Sequence, residues 1–340
     1  MSGLLPLEIS INLYADHGSL LELAKESHRW RSLTMNHTVP LQDNFPRQLP
    51  ILEELTLYGF FYVGGDFPDR VVTPILRNLT LEGYGASFAT HFDTTSVTTL
   101  TVKGEVRFPL LLALLEGCPK LDVLVMDKLK LPEVVDSEEE DDCVPVPLPI
   151  TTLKILRNNE SPFYSPSIFF SYFAFPSLHH LVMEHEDTPD FSAPTLTRGM
   201  ALFRRLISSV PPVPLVSLDI RGFRFGHLDD LFDILITLSG TLSRLTLWGC
   251  DLGDEFLRRM TVDELLPHLT ELGLKYDRWS EDSFSLLCGM IDSRWDAEEH
   301  KQKRLTRLHI FCREALHNGV TQGLSAVSEQ GLQVKIVDVR

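Results

Sequence analysis

One six-residue frame, apolar-x-x-Leu-x-apolar, recurs eleven times in this 340-residue chain. It reads WRSLTM at 30–35, LEELTL at 52–57, LRNLTL at 76–81, VTTLTV at 97–102, LDVLVM at 121–126 and ITTLKI at 150–155. It continues as LHHLVM at 178–183, LVSLDI at 215–220, LSRLTL at 242–247, LTELGL at 269–274 and LTRLHI at 305–310. Two weaker pieces flank the array, Ile9-Ser10-Ile11 and Val334-Lys335-Ile336. The Leu-x-apolar alternation dictates a short strand with one face inward. Such a strand cannot bury its apolar side alone. Stacking copies into a parallel sheet gives all of them one continuous core.

The period sets the architecture. The fourth-position leucines, from Leu33 to Leu308, are separated by 22, 24, 21, 24, 29, 28, 37, 27, 27 and 36 residues. Leucine-rich repeats run ~20–29 residues, so most intervals fit and the long ones hold insertions. The expectation is an α/β leucine-rich-repeat solenoid over residues 1–340, of about 12–13 repeats. It would be a horseshoe with a parallel concave sheet and helices or irregular segments on the convex side. The early returning segments carry Pro40, Pro46, Pro50, Pro68 and Pro74 and cannot be long helices. The later ones have helical period at 196–210, 228–238 and 284–291, and Thr261 to Glu264 has the spacing of a helix start before Leu265. Residues 133–149, acidic and then proline-alternating, read as a disordered insertion, and 292–304 as charged and solvated.

Charge and cysteine usage narrow the function classes. A formal net charge of −16 opposes binding to phosphate backbones, so no nucleic-acid partner is expected. The longest apolar run, Pro109 to Leu115, falls far short of the ~20 residues of a membrane helix, and the start MSGLLPLEIS lacks the build of a secretory signal. The five cysteines are odd in number and widely spaced, with no CxxC. Free thiols in a reducing compartment follow, with a cytoplasmic or nuclear location, and neither a structural metal nor a cofactor is expected.

The segments LLEGCPKLDVLVM (114–126) and LSRLTLWGCDLGDEFL (242–257) resemble the cysteine-containing leucine-rich repeats of F-box proteins. SHRWRSLTM (27–35) followed by LPILEELTL (49–57) is similar to F-box-associated repeat proteins of mushroom-forming fungi. The resemblance implies a substrate receptor: an F-box docks the adaptor subunit of a cullin–RING ubiquitin ligase, and the repeats hold a protein substrate on the concave face. Residues 5–30 read in two ways. Leu5-Pro6, Glu8-Ile9 and Arg29-Trp30 fit an F-box superficially. A first repeat, with Leu7-Ile9-Ile11 as strand, fits the polar interruptions Ser10, Asn12 and His17 better. A free-standing repeat protein without a ligase link is the alternative.

Catalytic motifs are not found: no GxxxxGK[ST], GxSxG or HExxH occurs, and Gly83 to Ser87 reads as a turn. His179 and His180 occupy x positions of a box, where solvated side chains are expected, and Cys118 and Cys250 read as small core residues. Thr80, Thr98, Thr99, Thr101, Thr151 and Thr152 sit at x positions and suit β structure. The recognition candidates lie in the last boxes: Arg244, Trp248, Lys275, Tyr276, Arg307 and His309. Aromatic and arginine side chains concentrate binding energy, and this group would form a basic and aromatic island suited to an acidic or phosphorylated partner segment.

Overall fold

The computed structural model describes residues 5–11, 22–36, 45–59, 70–83, 89–130, 145–156, 172–184, 206–207, 213–222, 228–250, 252–261, 265–275, 281–295, 305–312 and 324–338. It divides into two compact units, Met1–Tyr172 and Phe173–Arg340.

In the first unit seven strands stand side by side in chain order among the described residues. They are β1 (Leu7–Ile11), β2 (Trp30–Asn36), β3 (Glu54–Tyr58), β4 (Asn78–Glu82), β5 (Thr99–Glu105), β6 (Val123–Lys130) and β7 (Thr152–Leu156). Every neighbouring pair is parallel. The register is set by the boxes: Leu33, Leu55, Leu79, Leu100, Leu124 and Leu153 are successive partners, and all are at most 1% exposed. A one-residue slip would turn that row to solvent, so the pattern holds each strand in place.

Leu7–Ile11 is therefore a strand, with Ile9 opposite Leu33, as the first-repeat reading expects. One helix of this unit, α1 (Phe108–Glu116), carries Pro109 in its first turn, where a missing N–H costs nothing. Among the described residues between the other strands there are turns, a helical turn at 22–25 and a 3-10 turn at Ser27–Arg29.

In the second unit six strands again stand side by side, parallel and in chain order, among the described residues. They are β8 (His180–Glu184), β9 (Ser217–Arg221), β10 (Arg244–Trp248), β11 (Glu271–Lys275), β12 (Arg307–Cys312) and β13 (Gln333–Asp338). Its helices are α2 (Leu228–Thr237), α3 (Gly253–Met260), α4 (Glu281–Trp295) and α5 (Ser325–Glu329). α2 and α4 cover the segments with helical period. Most of 196–210 lies outside the described residues.

A spine of hydrogen bonds outside the strands repeats with the box. Its second and third residues send both backbone N–H groups to one carbonyl of the preceding repeat. Thr98 and Thr99 donate to Arg77 O, Ser243 and Arg244 to Val216 O, Thr270 and Glu271 to Ser243 O, and Thr306 and Arg307 to Thr270 O. Where the second residue is Ser or Thr, its hydroxyl joins in: Ser243, Thr270 and Thr306 donate to the same carbonyls at 3.3, 3.1 and 3.1 Å. Thr98 does so weakly at 3.4 Å, while Thr151 donates to Asp122 Oδ1 at 2.6 Å. Thr98 and Thr151 thus precede their strands and serve this spine, so only Thr80, Thr99, Thr101 and Thr152 lie on the sheet itself.

The glycine that ends LEELTLYG and LRNLTLEG is equally structural. Gly59 and Gly83 have φ of 84° and 63°, conformations that a side chain resists, and they turn the chain out of the sheet.

Two expectations fail in the second unit. The helix expected to run from Thr261 through Leu265 is not seen in its described part: residues 262–264 lie outside the described residues, and 265–270 are not helical. Thr261 itself closes α3, its hydroxyl donating to Leu257 O at 3.3 Å and to Arg258 O. Acidic Asp254 and Glu255 in the first turn and Arg258 and Arg259 in the last match the helix dipole over 253–260, and Leu266 at φ 53° cannot belong to a helix.

Arg294, in the stretch expected to be solvated, is 4% exposed. Helix α4 runs through it to Trp295, and its guanidinium donates to Met260 O (3.1 and 3.2 Å), Leu265 O (2.6 Å) and Leu266 O (3.3 Å). Those carbonyls end α3 and shape the turn after it, so one buried cation satisfies acceptors the backbone cannot. Of the acidic insertion, residues 133–144 lie outside the described residues, while Val146–Pro147 form a short strand and Leu148 is 6% exposed.

Candidate recognition face

Each five-residue strand that carries a box puts its second and fourth residues inward and its first, third and fifth outward. The outward residues align into rows across each sheet because the register is unbroken in the second unit. There the first row is His180, Ser217, Arg244, Glu271, Arg307 and Gln333. The middle row is Val182, Asp219, Thr246, Gly273, His309 and Lys335. The last row is Glu184, Arg221, Trp248, Lys275, Phe311 and Val337.

The expected candidates are thereby brought onto one sheet, and the structure adds partners to them. Trp248 is half-buried and stacks on Phe311, with ring centroids 4.4 Å apart and planes at 29°. Their strands are not neighbours, since β11 runs between, so the two rings lean together over the position of Lys275. The Lys275 ammonium is 5.2 Å from the Trp248 ring centroid and the Arg221 guanidinium 5.5 Å. Both lie within cation–π range.

Arg221 is itself held by Asp219 through two hydrogen bonds, 3.0 and 2.6 Å, and by Glu184 at 3.8 Å. The Asp219 hydrogen bond and the charges of both carboxylates raise its pKa above the ordinary arginine value, against the opposing effect of burial. Arg307 is paired with Glu271 at 2.7 Å on the adjacent strand. Arg244, Lys275 and Lys335 have no carboxylate partner among the described residues. His309 is half-buried in the middle row. Tyr276 lies outside the described residues.

Arg221, Phe311 and Gly273 were missed in the sequence. The signal for the first two was present: each follows the last apolar residue of its box, as Trp248 and Lys275 do. Gly273 was overlooked because a middle-row residue without a side chain looks like nothing. It is buried, and a Cβ built there would stand 3.0 Å from Thr246 Oγ1 and 3.1 Å from Thr246 Cγ2. The Thr246 side chain therefore fills the space that a side chain at Gly273 would take.

Cys118, Cys250 and Cys288 are the thiols whose side chains are described. Cys118 is buried and burial pushes its pKa up to about 11, and burial also raises that of Cys288. Cys250 packs behind Trp248, its Sγ 3.7 Å from Ile220 O and from Trp248 O. Among the described residues no group of His, Cys, Asp and Glu is arranged to hold a metal ion, and no helix is long and apolar enough to cross a membrane. No family model matches the chain, and no curated protein shows significant similarity to it. The parallel, solenoid-like α/β sheets and their outward rows therefore stand on their own geometry.

Proposed function

We propose that this chain is a leucine-rich-repeat scaffold for protein recognition and that it has no catalytic role. One observation carries the reading. The inward rows repeat the same leucines, while the outward rows of the second unit vary and gather a stacked Trp–Phe pair with cations. A sheet needs the first for stability; the second is the composition of a binding hot spot. The resemblance to F-box repeat proteins makes the bound protein a ubiquitin-ligase substrate, in a cytoplasmic or nuclear setting. Leu7–Ile11 lies in the sheet and so is not itself a docking helix of an F-box. The alternative reading is a free-standing scaffold without a ligase link.

Lysine-directed cross-linking to captured partners tests the scaffold. Cross-links should gather at Lys275 and Lys335 rather than at Lys103 and Lys154. An even spread would count against a defined face. Mixing the pure chain with a purified cullin–RING adaptor subunit tests the ligase link: co-elution supports the receptor, and separate elution supports the free-standing scaffold.

A further inference from the structure

Five cations and three carboxylates occupy the outward rows of the second unit: Arg221, Arg244, Lys275, Arg307 and Lys335 against Glu184, Asp219 and Glu271. This excess stands on a chain of net charge −16. Pairing consumes two of the cations, Arg221 and Arg307. The three that lack a carboxylate among the described residues, Arg244, Lys275 and Lys335, lie on β10, β11 and β13. Beside Lys275 lies the half-buried shelf of Trp248 and Phe311.

We infer that this face binds an extended, carboxylate-rich segment of a partner protein that also carries one aromatic or large aliphatic side chain. The inference rests on the recognition reading and gives the partner its chemistry. Arg244 and Lys275 stand four residues apart along the strand direction and on adjacent strands, so their backbones are separated by ~13 Å along the strands. An extended peptide presents same-side residues every ~6.6 Å, so acids at i and i+4 reach both cations. The residue between them passes over the middle row at Thr246 and Gly273, where the Thr246 side chain lies against the glycine. The apolar residue then covers the Trp248–Phe311 shelf, and Lys335 takes a further acid.

Other ligands fit less well. A cationic or methylated-lysine side chain would meet Arg221 and Lys275, already 5.5 and 5.2 Å from the Trp248 ring. A nucleic acid would carry its phosphates beyond the patch into the field of an acidic protein, whereas a short segment senses mainly charges within a Debye length of ~8–10 Å.

The probe is a fluorescein-labelled decapeptide of alternating glutamate and serine with one central phenylalanine, titrated with the full chain and read by anisotropy. Saturable binding is expected. It should weaken at least tenfold in each of three arms: glutamine replacing glutamate in the peptide, the Arg244→Glu/Lys275→Glu double variant, and Trp248→Ala. Trp248→Phe keeps a ring if the alanine variant fails to fold, and should weaken binding less. Lys103→Glu/Lys154→Glu, in the first unit, should leave binding unchanged, and circular dichroism shows which variants are folded. Absence of binding at ~1 mM peptide overturns the proposal. So does equal binding of the glutamine peptide, tighter binding of a single-stranded oligonucleotide, or an equal effect of the first-unit variants. If the peptide fails while cross-links to captured partners still gather at Lys275 and Lys335, the acidic chemistry is wrong and the scaffold reading survives.

Discussion

The two units share an interior and differ on their outward faces. In both, every fourth-position leucine of a box is at most 1% exposed and faces its counterpart in the next strand. Outward, the first unit presents Thr34, Thr56, Thr80 and Thr101 as four successive partners in its middle row, flanked by Ser10 and Val125. Its three outward rows carry four carboxylates, Glu8, Glu54, Glu82 and Asp127, against two lysines, Lys103 and Lys154. The second unit reverses that balance and adds the aromatic pair. Repetition inside, where the chain must stack, leaves composition outside free to differ. The unit whose outward rows depart furthest from plain β-forming residues is the one that reads as functional.

A second contrast lies behind the sheets. Among the described residues the first unit shows one longer helix, α1, whereas the second packs α3 against α4, with Ser283 donating to Asp254 Oδ1 at 2.6 Å and Arg294 filling the carbonyl end of α3. Replacing Arg294 by methionine keeps most of the volume and removes all four donated bonds. Buried acceptors left without donors cost ~1–3 kcal/mol each, so we expect the largest loss of stability from this substitution, ~3–5 kcal/mol. Hydrogen exchange should rise first in α3, α4 and the strands β10 to β12. An equal rise in β2 to β5 would show that the helix layer of the second unit is not a local device.

The shared interior makes the opposite kind of forecast. Leu79 and Leu272 hold the same box position, one in each unit, and both are 1% exposed. Each cut to alanine should cost ~2–4 kcal/mol, and the two costs should agree within ~1 kcal/mol. Urea denaturation of the two variants measures this. A large inequality would mean that identical boxes are not energetically equivalent, and the comparison of outward faces would lose its common baseline.

Most of this interior was legible in the sequence, because burial acts on the box leucines in every repeat and writes the same pattern eleven times. The strand at Leu7–Ile11 could be read from three alternating residues for the same reason. What could not be read involves contacts between repeats. The Trp248–Phe311 stack joins residues 63 positions apart across an intervening strand. The buried Arg294 has a charged sequence neighbourhood, and only the carbonyls of Met260, Leu265 and Leu266 explain its place. The helix expected from Thr261 does not extend over the described residues 265–270, since Thr261 closes the helix at 253–260, whose terminal charges match its dipole, and Leu266 has φ 53°. Of the candidate face, Arg244, Trp248, Lys275, Arg307 and His309 were found from box position alone, but the pairing of Arg307 with Glu271 was not.

The smallest expected effect is the one that bears most directly on the contrast of faces. Thr80 is half-exposed in the middle row of the first unit, and its hydroxyl has no hydrogen-bond partner among the described residues. Valine has the same branched shape and favours strands as strongly, so Thr80→Val should change stability by less than ~0.5 kcal/mol. Trp248 occupies the last outward row of the second unit, in contact with Phe311, Arg221 and Lys275. An aromatic pair contributes ~0.5–1.5 kcal/mol beyond its buried area, so Trp248→Ala should cost ~1–2 kcal/mol in the absence of any partner. Thermal melts of the two variants under one buffer condition decide the matter. If Thr80→Val proved as costly as Trp248→Ala, the threonine row would be a structural element in its own right. The outward face of the first unit would then be as constrained as its interior, and the freedom argued for that face would not exist.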